Sequence, residues 1–142
     1  MPETTETTRF NRSPNEVFAL LSDFSRLAEW DPMFESSRRL DSGELGVGSR
    51  FHVVGSIMGS EVELELEVVE YQPPHRIVLN GTGDGLQTTE DLTVSAVEEG
   101  AEVTYHSAFE TDKPDVLDAA TKPGFVLVGK SAMRGMDDWI ID

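Results

Sequence analysis

Cysteine is missing from all 142 residues of this chain. That absence excludes disulfides, thiolate metal sites and a cysteine nucleophile together. Positive charge is scarce, since 11 Lys and Arg against 27 Asp and Glu leave a formal net charge of −16. Such a balance repels phosphate backbones and anionic membranes, so nucleic acid is not an expected partner. The three lysines, Lys113, Lys122 and Lys130, all fall in the last third, and Arg38-Arg39 is the one basic pair before them. The acidity reads as a solvated surface, with a salt-adapted source an open alternative. No apolar run approaches membrane-spanning length, so no transmembrane segment is expected. Met1 to Thr8 is polar and acidic rather than basic and then apolar, which reads as a cytoplasmic chain. His52, His75 and His106 show no ligand spacing, so no metal site is expected. No cofactor motif is present either. Gly81 to Gly85 is glycine-rich, but no helix N-terminus follows it to hold a phosphate.

What is present fits one globular domain over residues 1–142, with 38% hydrophobic residues and enough length for a real core. Ser13, Pro14 and Glu16 form a helix start: a capping hydroxyl, a proline at the first helical position and a glutamate that reaches back to the cap. Val17, Phe18, Leu20 and Leu21 give the apolar face of that helix. Phe24, Leu27, Ala28 and Trp30 give a second short one, stopped at Asp31-Pro32.

The rest reads mostly as strand. Residues 1–5 read as a tail and Thr7 to Asn11 as a first strand, with further strands at Phe34 to Leu40 and Arg50 to Met58. In Glu61 to Tyr71, Val62, Leu64, Leu66 and Val68 alternate with Glu61, Glu63, Glu65 and Glu67, which predicts one apolar and one acidic, solvated face. Arg76 to Asn80, Thr88 to Val97 and Glu102 to Phe109 complete an antiparallel meander, with Gly81 to Gly85 as a loop. Pro114 to Ala120 suggests a helical turn. A closing amphipathic helix spans roughly Pro123 to Ile140, with Phe125, Val128, Gly129, Ala132, Met133, Met136, Trp139 and Ile140 on its stripe.

The capped helix ending in Trp30-Asp31-Pro32, followed by LDSGELGVGSRF and VVEYQPPHRIVL, resembles the SRPBCC group. That is the polyketide cyclase/dehydrase-like branch of the START and pollen-allergen helix-grip superfamily. The resemblance runs nearly the whole chain in the expected order. It implies an α+β helix-grip fold: a curved antiparallel sheet of about seven strands wrapped around a long C-terminal helix, with two short helices after strand 1. It also implies a cavity between sheet and helix.

Parity selects the walls of that cavity. Phe51, Val53, Leu64, Leu66, Ile77, Leu79, Leu92 and Val94 should face inward, as should Val103, Tyr105, Ser107 and Phe109. Phe125, Gly129, Met133 and Met136 should face them from the helix, with Trp30 and Phe34 near the mouth. Each of these is either plain core or cavity wall; Gly129 and the two methionines argue for room and adaptability. Tyr105 is the one polar side chain singled out, either bonded to a protein carbonyl or offered to a ligand as donor or weak acid. No inward Arg, His or carboxylate is expected. The leading expectation is a binder of a small hydrophobic, lipid- or polyketide-like molecule. The alternatives are a polyketide aromatase/cyclase or dehydratase using the same cavity, and a regulatory or interaction protein in which the cavity is vestigial.

Overall fold

The computed structural model describes residues 3–57, 59–112, 114 and 126–140. Strand β1 (Glu3–Phe10) opens the chain and takes in most of the expected tail, because all eight of its residues pair with β7. Helix α1 (Pro14–Leu21) starts as its sequence dictates. The Glu16 amide donates to the Ser13 hydroxyl at 3.2 Å, and that hydroxyl donates to the Glu16 carboxylate at 3.2 Å. A 3-10 turn (Phe24–Arg26) and one turn of helix, α2 (Leu27–Trp30), follow. Asp31 ends α2 in an extended conformation, φ −99° and ψ 108°, as its position before Pro32 requires.

Six more strands complete the sheet: β2 (Phe34–Arg39), β3 (Arg50–Ile57), β4 (Ser60–Gln72), β5 (Arg76–Gly83), β6 (Leu86–Val97) and β7 (Gly100–Thr111). All seven lie in one antiparallel sheet of order β1-β7-β6-β5-β4-β3-β2. β5 runs on through the glycines expected to form a loop, so the reversal is confined to Asp84-Gly85. The register shifts between Phe34 and Ser36 in β2 and between Val68 and Glu70 in β4. Such bulges bend and twist a sheet.

The order explains the helices. β1 and β2 sit at opposite edges, so α1, the 3-10 turn and α2 must carry the chain from one edge to the other. The last helix, α3 (Val126–Trp139), packs on β1 and against α2. Residues 115–125 lie outside the described residues, and with them Phe125, the expected start of the helix and most of the turn expected at 114–120. The inner face of the sheet and the helices share one core, in which Trp30, Phe24, Phe51, Leu66, Ile77, Leu79, Leu92 and Met136 are among the largest fully buried side chains. Each such side chain stabilises the fold by about 1.5–3 kcal/mol relative to exposure.

Candidate functional site

β6 alternates cleanly, with Thr88, Glu90, Leu92 and Val94 buried. The parity that turns Leu92 inward therefore turns a glutamate inward as well. Glu90 stands opposite Ser107 on β7, and Tyr105 two residues back on the same face donates its hydroxyl proton to Glu90 Oε2 at 2.9 Å. The ring of Trp30 packs edge-on against Tyr105, with centroids 5.8 Å apart and planes at 68°. Directly after Trp30, the buried Asp31 accepts the Met33 amide on Oδ1 at 3.0 Å. Asp31, Glu90, Tyr105 and Ser107 supply the polar wall of a void of about 30 Å³. Met33, Gly129, Ala132 and Thr4 close the rest of it.

The expectation of no inward carboxylate is thus corrected twice. Glu90 follows from strand parity. Asp31 is invisible to parity, because its burial comes from α3 lying over the end of α2. A Cβ on Gly135 would collide with the Trp30 carbonyl oxygen, so this glycine permits the close approach that covers Asp31.

Burial pushes both carboxyls up to about 7. For Glu90, hydrogen bonds from Ser107 and Tyr105 pull the other way, while the charge of Asp31 adds to the rise. For Asp31, the Met33 amide alone opposes burial. Burial, together with the negative charges of Glu90 and Asp31, raises Tyr105 well above the usual phenol range, so it stays a neutral donor. Around neutral pH the pair can hold one proton as acid and offer one carboxylate as base.

The other expected site residues divide into groups. Phe51, Val53, Leu64, Leu66, Ile77, Leu79, Leu92, Val94 and Val103 face inward and are buried. Phe34, Phe109, Met133 and Met136 are buried too. These residues pack as core, and of the expected wall only Tyr105, Ser107 and Gly129 touch the void. Trp30, expected near a mouth, is 2% exposed and lies deep against Tyr105, with its indole N–H unpartnered among the described residues. Gly129, expected to leave room, instead lets β1 in: a Cβ there would sit 3.0 Å from Thr4 Cβ and 3.2 Å from Glu6 Cγ.

The largest concavity described, about 620 Å³, is an open groove between α2 and α3 with Glu29, Arg134 and Asp138 among its charged lining. At that end Arg26 lies 4.7 Å over the Trp139 ring and bonds Glu29 at 3.1 Å, which pins α2 to α3. Among the described residues no three His, Asp or Glu are grouped as metal ligands would be, and no helix is long and apolar enough to cross a membrane.

A family model for polyketide cyclase/dehydrase and lipid transport proteins matches residues 1–137. The chain belongs to that family. Its sheet and C-terminal helix also match solved structures closely. A Thermus thermophilus protein shares 18% identity at a TM-score of 0.79, covering 97% of this chain and 96% of that one. A START superfamily protein from Mycobacterium smegmatis shares 14% identity at a TM-score of 0.73, covering 96% and 92%. At such identities the likeness is one of fold. An uncharacterized protein of Mycobacterium tuberculosis is 30% identical over 73 residues, a match that spans about half of each chain (51% of both).

Proposed function

We propose that this family member binds a small hydrophobic molecule between the sheet and α3, with the polar end of the ligand at the Glu90–Asp31–Tyr105 group. The observation that carries the reading is the void itself. Two buried carboxyls and a buried phenol converge on it, and no protein cation neutralises them among the described residues. Burying such groups without a counter-charge costs stability, and a folded chain tolerates that cost mainly where the groups act. The body of the ligand would displace flexible side chains, and Met33, which lines the void, together with the nearby Met133 suits that.

The test is uptake of an apolar fluorescent dye and native mass spectrometry of the purified protein. Ala132→Leu fills the void from the helix side and should abolish dye uptake while the circular dichroism spectrum stays unchanged. Gly129→Leu cannot serve, because Thr4 and Glu6 already hold that space. Undiminished uptake in a folded Ala132→Leu variant would place binding elsewhere.

The two carboxyls also favour a second reading, acid–base catalysis on a polyketide-like ligand, since both titrate near working pH. On that reading Glu90→Gln keeps binding and loses roughly a hundredfold or more in rate.

A further inference from the structure

We propose that the polar end of the ligand is a protonated amine, so that this site selects hydrophobic amines over fatty acids and neutral lipids. The inference rests on the cavity reading above and names the chemistry it would take. The polar wall of the void is made of acceptors and hydroxyls. Glu90 and Asp31 are carboxyls, Ser107 and Thr4 are hydroxyls, and the Tyr105 proton is already given to Glu90. The one nearby amide, Met33 N–H, is spent on Asp31 Oδ1.

Among the described residues no protein cation answers these carboxyls. β6 presents Glu90, β7 presents Tyr105, and the turn after α2 presents Asp31. β1 adds only Glu6, on the flank beside Gly129, and the α3 residues lining the void, Gly129 and Ala132, carry no charge. His106 lies on the outer face of β7, where it bonds Thr5. Of the described cations, Arg9, Arg12, Arg26, Arg39, Arg50 and Arg76 pair with acids away from the void, Arg134 lines the groove between α2 and α3, and Arg38 and Lys130 are exposed. A protonated amine would supply the positive charge that the described residues do not, and a carboxylate ligand would meet like charge from whichever acid is ionised.

Size agrees with this. About 30 Å³ open to a water-sized group is room enough for an ammonium head, which is nearly the size of water. The ring of Tyr105 lines the void beside Glu90. The net charge of −16 draws cations toward the protein from a distance.

The experiment is calorimetric titration of the full chain with decylamine, decanol and decanoate, all below micelle-forming concentration. Decylamine should bind about tenfold or more tighter than decanol near pH 7.5, with decanoate weakest. That order should survive about 0.5 M NaCl, which screens surface attraction but not a buried pair. Lowering the pH to about 5.5 protonates the carboxyls and should weaken decylamine by about tenfold while leaving decanol unchanged. Glu90→Gln and Asp31→Asn should each weaken decylamine about tenfold and decanol by less than about twofold. If one variant fails to fold, the other carries this arm, and the comparison of three ligands on the unaltered chain stands without either.

Decanol binding as tightly as decylamine overturns the amine inference alone. So does a preference that disappears in salt, or one that survives both substitutions. If none of the three binds, the cavity reading falls with it.

Discussion

Strand β4 and strand β6 both carry glutamates, and the sheet treats them in opposite ways. On β4, Glu61, Glu63, Glu65 and Glu67 occupy the outer face, where the Glu63 side chain is 60% exposed and accepts from His52 at 2.6 Å. On β6, Glu90 is 5% exposed and shares its surroundings with a second acid, Asp31. The residue type is the same and the strand geometry is the same. What differs is which neighbours share the residue's parity: Val62, Leu64, Leu66 and Val68 take the inner face of β4, whereas Glu90 stands in line with Leu92 and Val94. An acid on the outer face answers to solubility. An acid on the inner face carries a free-energy cost, which is why it enters the proposed site.

The sharpest way to break this comparison is to put an acid on the inner face of β4. Leu64→Glu should lose on the order of 3–5 kcal/mol in urea unfolding at pH 8, because the buried charge finds no partner. The neighbouring Glu63→Leu should change stability by no more than about 0.5 kcal/mol. Similar losses for the two would mean that the faces are not distinct.

The next effect is one of pH. Burial holds the protons on Asp31 and Glu90 up to about 7, whereas in the unfolded chain they leave near the ordinary carboxylate values. Between about pH 4 and pH 7 the native state binds more protons, so stability should fall as pH rises through that window and level off above it. The fall should be on the order of a few kcal/mol. Asp31→Asn combined with Glu90→Gln should flatten that part of the curve, while changes on the outer face of β4 should leave it in place. A stability curve that does not decline between pH 4 and pH 7 in the unaltered chain would contradict the burial of both acids.

Tyr105→Phe comes third. It removes the donor from a buried carboxyl and should cost about 1–3 kcal/mol in urea unfolding. It should also move the Glu90 titration further upward, since that hydrogen bond pulls it down. The smallest effect belongs to the outer face. Glu63→Gln with Glu65→Gln should shift stability by only a few tenths of a kcal/mol, through relieved repulsion and two lost surface contacts with His52 and Arg50.

The fold was largely legible in the sequence, because its signals are local. The Ser13–Glu16 cap, the period-2 pattern of β4 and the three-and-four spacing of the last helix each act within a few residues. The strand boundaries were less so: β1 begins at Glu3 and β5 runs to Gly83, because pairing partners rather than propensity extend them. The site was half legible. The parity that assigns Leu92 and Val94 inward assigns Glu90 inward too, so its burial was available to the same argument that places Tyr105. Asp31 carries no comparable signal. Asp31-Pro32 marks a helix end, and only the seating of Gly135 on the Trp30 carbonyl turns that helix end into an interior. Gly129 shows the same limit from the other side, since a missing side chain cannot announce that Thr4 and Glu6 will fill the space.

The central claim is that Glu90 and Asp31 are buried at a ligand site rather than being two more surface acids. Carbon-detected NMR titration of the side-chain carboxyls tests it most directly, run on the free protein and again with decylamine present. Glu90 and Asp31 should titrate near 7, and bound amine should lower both by about one unit or more. Glu90 and Asp31 titrating near the ordinary carboxylate values, or failing to respond to any of the three ten-carbon ligands, would contradict the account.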